Sequence, residues 1–171
     1  MTELNRSTKT LSRRAFLQGV LGVGASTLLV SYPVLAEEAK SFPIQKTAAE
    51  WKQQLTSAQY AVLREHDTER PNTSPFLHEK RAGIFHCAGC NNELYDIATK
   101  FESGTGWPSF YQALDGAVGT QSDRSWFVTR TEVHCADCGG HLGHIFDDGP
   151  APTGKRHCIN GVALTFQPKA A

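Results

Sequence analysis

Four of the five cysteines in the chain stand in two tight pairs, Cys87–Cys90 ("CAGC") and Cys135–Cys138 ("CADC"). Two such pairs supply four thiolates, the donor set of a closed tetrahedral zinc site. Asn91 and Asn92 follow the first pair, and Gly139 and Gly140 follow the second, all residues that turn a chain back on itself. The interval between the pairs is too long for a compact zinc ribbon, so a metal held by both would tie two separate hairpins together. Two other uses compete. An oxidising compartment favours disulfides, and a lone C-x-x-C can be a redox dithiol, although no βαβ pattern surrounds either pair. The paired arrangement favours zinc.

The N-terminus bears on that choice. Arg13 and Arg14 precede an apolar stretch from Phe16 to about Leu35, and "VLA" at Val34 to Ala36 offers a small-residue cleavage site. This is the pattern of a twin-arginine export signal over residues 1–36, followed by a polar leader over 37–46 and one domain over 47–171. The expected location is periplasmic. The stretch is nearly long enough to span a bilayer, so an uncleaved signal would serve as a membrane anchor. After cleavage no second long apolar run remains, and no stable membrane insertion is expected. Twin-arginine export carries folded proteins, so zinc could be loaded before the thiols meet an oxidising space. Residues 37–171 carry a small net negative charge and no basic stripe, which gives no reason to expect nucleic-acid binding.

"TAAE" at Thr47 to Glu50 is a capping box, and Trp51, Leu55 and Ala58 follow at helical spacing. Thr56 restarts the pattern, so residues 47–66 read as two short helices or one bent one. "RPNTSP" at Arg70 to Pro75 ends the helical part. Beyond Gly83 the segments are short: "GIFHC", "ELYDI", "SWFVTRTEVHC", "HLGHIFD" and "RHCINGVALTF". Gly, Asn, Asp and Pro punctuate them, as in an antiparallel, mainly β domain.

With four sulfurs committed to metal, Cys158 is the free thiol. A buried inert cysteine is the ordinary reading of a lone one. Its neighbours argue otherwise. Arg156 and His157 precede it, and a nearby cation raises the thiolate fraction. His141 and His144 lie upstream in a Gly-rich segment, and Asn160, two residues on, shares a strand face with Cys158. A thiolate with an imidazole and an amide beside it can attack an electrophile. In "SGTGWPSF", Ser103 to Phe110, two glycines and a proline fix Trp107, which can wall a small apolar pocket.

"GWPSF", "HLGHIFDDGP", "PTGKRHCIN" and the two cysteine pairs, in this order from about Ala48 to Phe166, resemble the B-type peptide methionine sulfoxide reductases, the methionine-R-sulfoxide reductases. The resemblance implies two antiparallel sheets with short N-terminal helices and one structural zinc on Cys87, Cys90, Cys135 and Cys138. It implies that Cys158 is the nucleophile and that His141 and His144 are active-site histidines. Asn160 would orient the site, Trp107 would pack on the substrate methyl, and Arg156 would support the thiolate. The implied activity is reduction of methionine-R-sulfoxide in oxidised proteins through a sulfenic acid, by a monomer. Many relatives carry a resolving cysteine where this chain has Thr105. The sulfenic acid would therefore go to an external thiol or a thioredoxin-like partner. Two other classes remain: a zinc-stabilised module in which Cys158 only senses oxidants, and a zinc hydrolase. A sensor needs no methyl pocket, and a hydrolase needs an open metal position that four cysteines would fill.

Overall fold

The computed structural model describes residues 41–125 and 128–170. The expected signal over 1–36 and the first part of the leader lie outside the described residues, and residues 41–46 form no helix or strand. Two helices open the domain, α1 (Ala48–Gln54) and α2 (Ser57–Glu65). Each starts at its own capping box. Thr47 Oγ1 accepts from the Glu50 amide at 3.3 Å while Glu50 accepts from the Thr47 amide at 2.7 Å. Thr56 and Gln59 repeat the exchange at 3.2 and 3.0 Å. Two complete boxes nine residues apart make two helices, not one bent helix, because each satisfies the free amides of a helix start. α2 closes on His66 in the left-handed conformation, with φ at 59°.

Nine strands follow among the described residues, and every pairing among them is antiparallel. β1 (Gly83–Cys87), β2 (Glu93–Asp96) and β9 (Leu164–Pro168) form a sheet of order β2-β1-β9. The second sheet holds β3 (Lys100–Phe101), β4 (Ser109–Phe110), β5 (Val118–Ser125), β6 (Val128–Cys135), β7 (His141–Phe146) and β8 (Arg156–Ile159). Its order is β3-β4-β8-β7-β6-β5. The mainly β fold of two antiparallel sheets with short N-terminal helices is thus observed. Aromatic side chains carry the core from one sheet to the other. Tyr95 of β2 stacks on Phe110 of β4 at 4.4 Å between ring centroids, and Phe85 of β1 meets the same ring edge-on at 5.1 Å. Leu94, Val133, Leu142 and Ile159 are fully buried around them, and Trp51 and Leu63 seal the core from the helices.

Two segments differ from the reading of the sequence. "SWFVTRTEVHC" is not one strand: Ser125 ends β5 and Val128 begins β6, so the pair is a hairpin. "RHCINGVALTF" is broken by a 3-10 turn at Gly161–Ala163. That turn lets β8 finish in one sheet and β9 start in the other. A chain crossing between sheets must give up its ladder for a residue or two, and Asn160 and Gly161 occupy that corner.

β7 and β8 approach closely. A Cβ on Gly143 would lie 2.0 Å from the Cys158 carbonyl oxygen, so only a residue without a side chain fits. We expect Gly143→Ala to force the two strands apart and to destabilise the domain by about 1–3 kcal/mol or more. Urea unfolding of the two proteins checks this, and an unchanged midpoint would show that the strands can yield without cost.

Candidate active site

β8 is flanked by β4 and β7, and the register places Cys158 opposite Ser109 on one side and His144 on the other. Side chains alternate along a strand. His157 and Ile159 turn into the core, where His157 Nδ1 lies 3.1 Å from Tyr95 Oη. Cys158 turns to the opposite face. There it lines a cavity of about 150 Å³ together with Trp107, His144 and Asn160, joined by Thr68 and Phe146. Four of the residues expected from the sequence are therefore brought together. A larger groove, about 630 Å³, runs along α2 but holds no cysteine or histidine.

Three loops lock the walls of the small cavity. Trp107 Nε1 donates to the Glu69 carbonyl at 3.1 Å. Asn160 Oδ1 accepts from the Glu69 amide at 3.0 Å, and Asn160 Nδ2 donates to the Leu142 carbonyl at 3.1 Å. The Glu69 carboxylate in turn accepts from the amides of Gly161 and Val162. Glu69 thus fixes both the tryptophan and the asparagine. Nothing local in the sequence marks this role, because Trp107 lies 38 positions from Glu69 and Asn160, Gly161 and Val162 lie 91 to 93 away. Asn160 is buried and has both ends of its amide engaged, so it holds the corner after β8 in shape.

The electrostatics of Cys158 differ from the simple expectation of two flanking cations. His157 faces the core and is neutral: burial holds its pKa down at about 4. Arg156 does face the thiol's side, but it is forked onto Asp148 at 2.8 and 2.9 Å and stacked over Phe146 at 4.4 Å. Its attraction lowers the thiol's pKa, as does Thr105, whose Oγ1 stands 4.0 Å away. Burial is the larger effect and leaves the Cys158 thiol above its ordinary range.

Each of the two histidines of "HLGH" is paired with a carboxylate. His144 Nε2 lies 2.8 Å from Asp123 Oδ2, which also receives Arg130 Nη2 at 2.6 Å. Burial holds the His144 imidazole below its usual range against the pull of Asp123, so it is neutral near pH 7. With Asp123 ionised the ring proton sits on Nε2, leaving Nδ1 to accept. His141 lies deeper and is not part of the cavity wall. Its Nδ1 is 2.7 Å from Glu132 Oε1. Burial alone would raise the Glu132 pKa, but hydrogen bonds from His141 and Gln121 outweigh it and bring it to about 2. Asp123 and Glu132 stand in strands whose alternating polar residues read as ordinary solvent-facing positions, so the sequence did not single them out.

The other four cysteines converge. β1 ends at Cys87 and β6 ends at Cys135, so each pair occupies the turn after a strand. No disulfide joins them. Cys87 Sγ is 3.8 Å from Cys138 Sγ, and Cys90 Sγ is 3.5 Å from Cys135 Sγ. Zinc–sulfur bonds of about 2.3 Å in a tetrahedron space sulfurs roughly 3.8 Å apart, so the group fits a zinc ion. Arg64 Nη2 and Asn92 Nδ2 donate to Cys138 and Cys135 at 3.4 and 3.6 Å, the kind of outer contact that steadies thiolate ligands. Sulfurs this close push the Cys87 thiol far up, chiefly through Cys135, and a dication among them would remove that penalty.

Comparison with known proteins agrees with this arrangement. The SelR domain family matches residues 55–168. The peptide methionine sulfoxide reductase MsrB of Methanosarcina barkeri is 52% identical over 125 residues, covering 72% of this chain and 88% of that protein. MsrB of Agrobacterium fabrum is 48% identical over 126 residues, covering 73% and 93%, and that of Bradyrhizobium diazoefficiens is 52% identical over 125, covering 72% and 90%. With a family match across most of its length and relatives covered almost end to end, the chain belongs to the SelR-domain family of MsrB proteins.

Proposed function

We propose that the protein reduces the R epimer of methionine sulfoxide in oxidised proteins to methionine, with Cys158 as the reacting thiol. One observation carries the reading: in a member of this family, Cys158, His144 and Trp107 line one cavity sized for a single side chain. Pockets for free small molecules are commonly about 300–1,000 Å³. The smaller volume here favours a methionine side chain presented by another protein.

The reaction starts from a protonated Cys158 and a neutral His144. Nδ1 of His144 takes the thiol proton, and Asp123 stabilises the imidazolium. The thiolate attacks the sulfoxide sulfur while the proton passes to the sulfoxide oxygen. Oxygen leaves the methionine sulfur, which gains two electrons, and is taken up by Cys158, which becomes a sulfenic acid. Arg156, positioned by Asp148, steadies the thiolate as it forms. The S-methyl faces Trp107 and the oxygen faces His144, so two unlike subsites select one epimer. His141 and Asn160 orient the site. Two thiols of an external donor, such as a thioredoxin-like protein, then return Cys158 to the thiol, releasing water and a disulfide. Thr105 stands beside Cys158 but has no sulfur to resolve it.

A zinc ion on Cys87, Cys90, Cys135 and Cys138 would be structural, since four thiolates leave it no open position for substrate. We assign the protein to the periplasm on the strength of Arg13, Arg14 and the stretch that follows, as a free monomer once residues 1–36 are removed.

Peptides carrying each sulfoxide epimer separately test the function. We expect turnover of the R epimer alone, abolished by Cys158→Ser with zinc content and unfolding midpoint unchanged. Turnover by that variant, or equal use of both epimers, would refute the mechanism. Alkylation of Cys158 in the substrate-free protein tests the electrostatics. Its rate should rise with a midpoint above the thiol's ordinary pKa of about 8.5, and higher still in Arg156→Gln. A midpoint below the ordinary value would mean that Arg156 outweighs burial.

A further inference from the structure

Beyond His144, on the β6 side of the same sheet face that carries Cys158, a second set of ligand-bearing groups meets, with the His141 ring 5.4 Å from that of His144. His66 ends α2, and its left-handed backbone sets the ring over β6 and β7. Its Nδ1 lies 3.2 Å from Glu132 Oε1. His141 Nδ1 lies 2.7 Å from the same oxygen. The two rings face one another at 5.1 Å between centroids, tilted by 36°. All three ligand atoms fall within 4.8 Å of one another. The other oxygen of Glu132 is held by Gln121 Nε2 at 2.5 Å, so the carboxylate is fixed in direction.

Two imidazole nitrogens and a carboxylate oxygen form the donor set of an open zinc site, with a fourth position left for water. For bonds of about 2.0–2.1 Å, tetrahedral ligand atoms lie roughly 3.3 Å apart. The His66–Glu132 pair already has this spacing, and the His141–Glu132 pair needs to open by about half an ångström. Glu132 and His141 have side chains only 4% and 3% exposed, whereas His66 is 57% exposed. The buried pair supplies a fixed base, and the exposed histidine supplies both the third ligand and the entry path. Imidazole donors suit zinc or copper(II) and not magnesium or calcium, which take oxygen ligands.

We propose that His66, Glu132 and His141 form a second transition-metal site, separate from the four cysteines, and that filling it inhibits the enzyme. Bound metal draws His66 and His141 together. It anchors the start of the segment that runs through Thr68 and Glu69 to the cavity wall. It also withdraws His141 from the reaction. The inhibition rests on the function proposed above; the site itself does not.

Zinc counting in the full chain tests the site. The Cys158→Ser variant removes the competing thiol, and equilibrium dialysis against micromolar zinc should leave about two ions per chain. His66→Asn in the same background should leave about one, because asparagine accepts the left-handed backbone but its amide is a poor zinc ligand. One ion in the parent, or two in both proteins, would overturn the site. Single-turnover product from the R-sulfoxide peptide, without any thiol present, then tests the consequence. Added zinc should lower product in the unaltered protein and not in His66→Asn. Equal inhibition of both would place the inhibitory metal elsewhere. No product from either protein without zinc would sink the proposed function, while the zinc count would still decide the site.

Discussion

Four sulfur atoms connect parts of the chain that backbone hydrogen bonds leave separate. Cys87 and Cys90 belong to the turn between β1 and β2, in the three-stranded sheet. Cys135 and Cys138 belong to the turn between β6 and β7, in the six-stranded sheet. α2 joins the same node through Arg64, which donates to the Cys138 carbonyl at 3.0 Å and to its sulfur. The Arg64 guanidinium also lies 4.5 Å from the Trp51 ring of α1. A cation at this point would therefore hold both sheets and both helices at once. β7 begins three residues after Cys138, so the node sets where His141 and His144 start.

From that anchor the reacting groups follow by register. β7 offers His144 to Cys158, β4 offers Ser109 on the other side, and Gly143 allows the strands to close. The turn after β8 then carries the chain into the other sheet, and Glu69 spans that corner by holding Trp107, Asn160, Gly161 and Val162. The chemistry is a balance of opposing effects. Burial keeps the thiol protonated and His144 neutral, while Arg156 and Asp123 favour the charged forms that the proposed reaction uses. A thiol held protonated at rest is a poor nucleophile and meets oxidants slowly.

The sequence showed those features whose physics is local. Both capping boxes lie within four residues, and the C-x-x-C turns, "HLGH" and Cys158 carry their chemistry in their own side chains. Features that depend on distant partners did not show. β3 and β4 are two residues each, too short for any alternation to register. β5 reads as "VGTQSDRS", polar enough to pass for loop, because its pairing is to β6 and its outward face is wet. His157 looked like a cation beside the thiol, yet strand alternation turns it into the core against Tyr95. Glu69, Asp123, Glu132 and Asp148 act only through partners that folding brings to them.

On the proposed reading one sulfur reacts while four hold a metal that ties the fold together. Counting sulfurs after a single turnover separates the two roles. The full chain, loaded with zinc, is mixed with R-sulfoxide peptide and no reductant, capped at any sulfenic acid with dimedone, then unfolded and assayed for free thiols and released metal. If Cys158 alone reacts, four of the five cysteines remain as thiols and zinc stays bound until unfolding. Loss of a second thiol, with zinc released in step with product, would show that a knuckle cysteine resolves the sulfenic acid and would contradict the account.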